Sequence, residues 1–146
     1  MAAERTGGCL CGAVRYRLAS EPFDSGWCHC RLCQLASGSP ALVFATVPRA
    51  DYVVDQGADR IGDYRSTSFG SRQFCTRCGT PLSMTVDHQP DLIDFTVATL
   101  DAPAAQPPGF HIFQGEAIGW AELADTLPRF AGFRPETPGI PSDAPP

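Results

Sequence analysis

The stretch Cys28-His29-Cys30-Arg31-Leu32-Cys33 places three thiols within six residues, spaced C-x-C-x-x-C. A structural zinc site takes four protein ligands; a catalytic one takes three and keeps a position open. The chain has seven cysteines. The other four form two pairs, Cys9-x-Cys11 and Cys75-x-x-Cys78. The spacing therefore predicts one closed site of Cys9, Cys11, Cys75 and Cys78 that holds the fold. It predicts a second, open site of Cys28, Cys30 and Cys33 that does chemistry.

Each pair supplies half of a tetrahedron. Zn–S bonds of about 2.3 Å put bound sulfurs within about 4 Å of one another. In Cys75-Thr76-Arg77-Cys78-Gly79 the chain folds back within one turn, and Gly79 supplies the positive φ the turn needs. In Cys9-x-Cys11 a kink at Gly12 closes the gap. A metal shared by these pairs clips a loop of more than 60 residues. Zinc binding of this kind is worth on the order of 10–16 kcal/mol, as much as a whole domain's stability. Other groupings remain open, such as Cys28 and Cys30 with Cys75 and Cys78. So does a histidine, His29, His88 or His111, as fourth ligand to the triplet. His29 lies between two ligands and is expected to point away and orient the loop by a hydrogen bond. Seven buried reduced thiols without metal are the plainest alternative. A redox reading of the C-x-x-C pairs is disfavoured, since neither opens a helix in a βαβ unit.

A chain of 146 residues makes one domain with a sizeable core. Hydrophobic residues at 43% and charged ones at 18% are ordinary for a globular protein. No run approaches the roughly 18 apolar residues of a membrane span. Met1 to Gly8 lacks the apolar core of a secretion signal. The cytoplasm is the expected compartment, where thiols stay reduced and clustered cysteines read as metal or catalytic sites. The net charge is −5, and the 11 basic residues are scattered arginines. No basic stripe exists to track a phosphate backbone, so no nucleic-acid partner is expected. Neither is a membrane partner, and the sequence assigns no oligomeric state.

The pattern is mainly β. Alternation of Val14, Tyr16 and Leu18 with Arg15 and Arg17 predicts a strand over 9–18. Residues 21–26 read as a loop and 31–35 as one helical turn. Strands are predicted over 41–47, 52–54, 61–64, 82–86 and 92–98, and 69–74 leads into the Cys75 knuckle. Residues 101–109 form a Pro/Ala loop, and 111–113 a last short strand. Residues 1–133 make the domain, and the Pro-rich segment 134–146 is expected to be disordered.

The order Gly7-Gly8-Cys9-x-Cys11-Gly12-x-Val14-Arg15-Tyr16, Cys28-His29-Cys30-x-x-Cys33, Ser39 and Arg72-x-Phe74-Cys75-x-x-Cys78-Gly79 resembles the glutathione-dependent formaldehyde-activating enzyme family, also called the centromere protein V/GFA domain family. Thr99-Leu100-Asp101, His111-Ile112-Phe113, Trp120 and Leu127-Pro128 extend the resemblance to about residues 5–133. It implies a β-tent (Mss-four-like) fold of several small antiparallel sheets around zinc. It implies two Zn2+ per chain: a structural ion on Cys9, Cys11, Cys75 and Cys78, and a catalytic ion on Cys28, Cys30 and Cys33. It also implies carbon–sulfur lyase or synthase chemistry, the condensation of glutathione with formaldehyde to S-hydroxymethylglutathione.

A free thiol is a few per cent thiolate at neutral pH, so full ionisation yields at most about 30-fold in rate. Most of the gain must come from holding thiol and aldehyde together. Arg31 and Arg72 are read as surface arginines, with pairing to a glutathione carboxylate as the alternative. Trp27, Phe44, Phe69, Phe74, Phe95, Phe110 and Phe113 are read mostly as core, with pocket lining as the alternative. His111 is read as structural. The competing function is a non-enzymatic zinc-stabilised binding module, which has no need of the extra triplet.

Overall fold

The computed structural model describes residues 5–140. Ten strands and one short α-helix build two sheets. The strands are β1 (Arg5–Gly8), β2 (Arg15–Leu18), β3 (Phe23–Cys28), β4 (Leu42–Pro48), β5 (Tyr52–Gln56), β6 (Ile61–Tyr64), β7 (Gly70–Cys75), β8 (Pro81–Val86), β9 (Leu92–Thr96) and β10 (His111–Ile112); the helix α1 spans Arg31–Ser37. The smaller sheet has the order β1-β2-β5 and the larger β10-β3-β4-β9-β8-β7-β6. Every pair is antiparallel except β10 with β3, which is parallel. The protein is thus mainly β, as its alternating pattern predicts. No helix among the described residues is long and apolar enough to cross a membrane.

The two faces of the large sheet differ. Ala45 and Val47 of β4 with Ile93 and Phe95 of β9 turn toward β2, where Tyr16 and Leu18 meet them. Tyr16 stacks on Tyr52 with ring centroids 4.5 Å apart, and its hydroxyl bonds the Thr99 hydroxyl at 2.7 Å. Burying side chains of this size stabilises the fold by about 1.5–3 kcal/mol each, before entropy. The alternate residues face the other way. Arg72 pairs with Met84, Met84 with Asp94, and Asp94 with Thr46. Directly paired residues share a face, so these four form one row across β7, β8, β9 and β4. That row floors a cavity.

The expected strand over 9–18 is shorter. β2 begins at Arg15, and residues 9–13 turn, with Gly12 at φ +79 and its N–H donating to the Cys9 carbonyl. The expected loop over 21–26 is mostly strand β3. It takes ladder bonds from β4 on one side and β10 on the other, and its irregular register accommodates Asp24 at φ +53. The Pro-rich segment is packed as far as residue 140. Arg134 pairs with Asp24 and lies over the Phe110 ring, and Gln89 Nε2 donates to the Pro138 carbonyl at 2.6 Å. Residues 141–146 of that segment lie outside the described residues.

Candidate metal centres and the adjoining cavity

The turn at residues 9–13 and the turn after β7 meet. Sγ atoms of Cys9, Cys11, Cys75 and Cys78 all lie within 4.8 Å of one another. Cys9 and Cys11 sulfurs are 3.6 Å apart, Cys11 and Cys75 sulfurs 3.9 Å. A tetrahedron with 2.3 Å bonds has edges of about 3.8 Å, so this donor set fits a four-coordinate soft metal. Backbone supports the sulfurs: Val14 N–H donates to Cys9 Sγ at 3.2 Å, and Gly79, at φ +81, returns its N–H to the Cys75 carbonyl. The Thr80 hydroxyl lies 3.2 Å from Cys78 Sγ and leads the contacts that pull this thiol down to about 5.

The second cluster forms where β3 hands over to α1. Cys28 ends β3, Cys30 caps α1 and Cys33 lies in its first turn. Their sulfurs also converge within 4.8 Å, and no further ligand atom joins them among the described residues. Cys30 Sγ accepts the Cys33 N–H at 3.3 Å, doing the work of an N-cap oxygen. Cys33 and Cys28 sulfurs are 3.4 Å apart, both buried. Crowding splits their protonation: hydrogen bonds from Cys28 and Cys33 pull Cys30 far below the ordinary thiol range, while Cys28 is driven upward by its contacts with the other two. Three adjacent thiols, two of them buried, cannot all ionise without a cation among them, so the chemistry of the triplet fits a metal.

The histidines serve the loop from behind. His29 is buried, and its Nε2 lies 2.8 Å from His111 Nδ1. His111, wholly buried, bonds Asp125 through Nε2 at 3.0 Å to each oxygen. His29 N–H donates to the Ile112 carbonyl, and Gln34 Nε2 to the His29 and Glu116 carbonyls. Neither histidine is in the cluster, and His88 sits elsewhere, against Phe69 and Phe133.

Arg72 corrects its expected place. Arg31 is exposed, but Arg72 is half-buried, lines the cavity and sets Nη2 3.5 Å from Cys33 Sγ. Its Nε is buried without a partner. The cavity, about 270 Å³, has Cys28, Cys30 and Cys33 in its wall. Of the aromatic candidates, Phe44, Phe69, Phe110 and Phe113 line it, joined by Phe133; Phe95 belongs to the core. Phe113 and Asp24, both in the cavity wall, are non-glycine residues held at φ +53. Sequence reasoning missed Asp94 and Phe133 altogether. Asp94 takes the Thr46 hydroxyl hydrogen at 2.6 Å, and burial pushes its carboxyl up to about 6.

A mainly β protein with one closed cysteine cluster, and one three-cysteine cluster opening on a cavity, is the class this geometry defines. Residues 4–116 match the family described as glutathione-dependent formaldehyde-activating enzyme, and the chain belongs to it. A Halomonas elongata protein whose name places it in the same family is 29% identical over 90% of this chain and 89% of its own length. An uncharacterized lyase of Schizosaccharomyces pombe is 33% identical over 54% of this chain and 56% of its own. A crystal structure of a Rhodobacter sphaeroides protein superposes with a TM-score of 0.56 at 27% identity, covering 66% of this chain and 87% of that one.

Proposed function

We propose that the protein is a zinc-dependent enzyme of carbon–sulfur lyase or synthase type, joining a small thiol to an aldehyde and reversing that step. The observation that carries this reading is the three-thiol cluster in the cavity wall, joined by no further ligand among the described residues. Cys9, Cys11, Cys75 and Cys78 would hold a structural zinc, and Cys28, Cys30 and Cys33 a catalytic one. When bound there, zinc keeps an incoming thiol ionised at neutral pH. The chain's own residues do the rest. Arg72 lays a positive charge beside Cys33 and offsets the thiolates' negative charge. The cavity walls hold the carbonyl compound against the sulfur, where proximity supplies most of the acceleration.

The step balances simply. The thiolate sulfur bonds to the carbonyl carbon, the C=O π pair moves to oxygen, and oxygen takes a proton from solvent. The reverse returns that proton and breaks the carbon–sulfur bond. Glutathione with formaldehyde, giving S-hydroxymethylglutathione, is the pair the family relationship favours, and the Halomonas elongata name agrees.

Exchange spectroscopy on equilibrating glutathione and formaldehyde tests this. Wild-type protein should accelerate the exchange between free and hydroxymethylated thiol, and Cys30→Ser should abolish the effect while remaining folded. Equal acceleration by both would remove the triplet from the chemistry.

A further inference from the structure

The cavity's charged groups are already engaged by the protein. Arg134 pairs with Asp24. Asp94 is held by Thr46, and Arg72 reaches Cys33. Glu116 Oε1 accepts the Arg31 N–H at 3.4 Å. What remains for a ligand is mostly apolar, Phe44, Met84, Val86, Leu92, Phe113 and Phe133, with the His88 imidazole and the Ser66 hydroxyl as polar exceptions. Three carboxyl side chains line the space against two guanidiniums, one of them already paired. A tripeptide thiol with two carboxylates would strip both of water and find one incompletely used cation. An unpaired carboxylate in such a place is strongly disfavoured.

Asp94 lies away from the end of the row where Arg72 meets the triplet. It is two strands from Arg72 in the paired row, about 10 Å at ordinary strand spacing. A carbon bonded to the captured sulfur lies within a few ångströms of it. Met84 fills the step between Arg72 and Asp94, so the floor there offers hydrocarbon.

Resting on the reading of the triplet as a thiol site, we propose that the thiol this cavity takes carries an uncharged alkyl or aryl body, which lies along Met84, Phe44, Phe113 and Phe133. Glutathione then belongs to the chemistry by its sulfur and fits the walls poorly.

The test is a calorimetric titration of the protein as isolated. The probes are the n-alkanethiols from ethanethiol to hexanethiol, the methyl alkyl sulfides of matching length, and glutathione. Burying one methylene tightens binding about fourfold. The dissociation constant should fall by about that factor per methylene in both series until the cavity is full, and pentanethiol should outbind glutathione. Met84→Gln and Phe133→Ala should each flatten the dependence, with the urea midpoint of each variant confirming that it is folded; Phe133 is 39% exposed. A dependence flat with length in the wild type, or glutathione binding tighter than every alkanethiol, would overturn the inference. Thiols binding no better than sulfides of equal length would instead count against thiolate capture at the triplet. The slope with length then still decides what the cavity prefers.

Discussion

His29 Nε2 lies 2.8 Å from His111 Nδ1, and the far nitrogen of His111 lies 3.0 Å from both oxygens of Asp125. Burial raises the Asp125 carboxyl, but the Leu127 N–H and His111 outweigh it and leave it below the ordinary range. Asp125 is thus an acceptor for His111 Nε2–H. With both rings neutral, His111 Nδ1 accepts from His29 Nε2–H, and His29 Nδ1 keeps a bare lone pair. That atom is buried and has no partner among the described residues. The assignment follows from the bonding pattern. Long-range proton–nitrogen NMR should show both rings as Nε2–H tautomers. His111→Phe leaves the His29 donor unpaired and should cost about 2–4 kcal/mol in denaturant unfolding. A loss under 0.5 kcal/mol would mean the chain does not brace the cysteine loop.

Arg72 is predicted to secure the triplet electrostatically. A charge-assisted contact of this kind is worth about 1.5–3 kcal/mol. Arg72→Gln should weaken metal retention by Cys28, Cys30 and Cys33 roughly ten- to a hundredfold, with Cys9, Cys11, Cys75 and Cys78 unaffected. Competition with a chromogenic chelator measures both. Unchanged retention at the triplet would show that the contact is incidental.

Asp94 predicts a pH dependence. Its folded value, about 6, stands above the ordinary 3.8 because of burial. The folded chain therefore binds the proton more tightly than the unfolded chain. The stability that follows is fully present below about 3.8 and is lost as pH rises through about 6. Asp94→Asn removes this dependence. At pH 7 the variant should exceed wild type in stability by up to about 3 kcal/mol, at about 1.4 kcal/mol per pH unit. The difference should vanish near pH 4. A variant less stable than wild type at pH 7 would show that the ionised carboxyl has a compensating partner.

Gly57 supports the closed cluster from beneath. It has φ +80, and a Cβ there would meet the Ala13 carbonyl oxygen at 2.1 Å. Ala13 is the last residue of the turn that carries Cys9 and Cys11. Gly57→Ala should destabilise the protein by at least about 2 kcal/mol, read from its urea midpoint. Wild-type stability in this variant would mean that the turn moves freely.

The gathering of thiols within each cysteine motif was legible because it is local, whereas the joining of Cys9 and Cys11 to Cys75 and Cys78 rested on the cysteine count. C-x-C-x-x-C gathers its own sulfurs, and C-x-x-C-G carries its own turn, so the structure's two clusters match those the spacing predicts. The alternation that marks β2 ran on falsely through Cys9, where Gly12 breaks the extended backbone. β3 was hidden because Asp24 and Gly26, following Pro22, look like loop residues. What makes them strand is hydrogen bonding to β4 and β10, which residue order does not show. Arg72 was read as a surface residue, and Asp94 was missed, for the same reason: they meet the cavity through pairing across β7, β8 and β9. The docking of residues 134–140 likewise depends on Asp24 and Gln89, far away in sequence.

The central claim is a metal held by three cysteines beside a cavity, separate from the metal held by four. Metal analysis of protein prepared without added zinc, joined to alkylation of the native protein and mass mapping, tests it most directly. The account predicts two zinc ions per chain, with Cys28, Cys30 and Cys33 unreactive until a chelator removes one ion while the fold persists. One zinc per chain, with those three thiols alkylated at once, would contradict it.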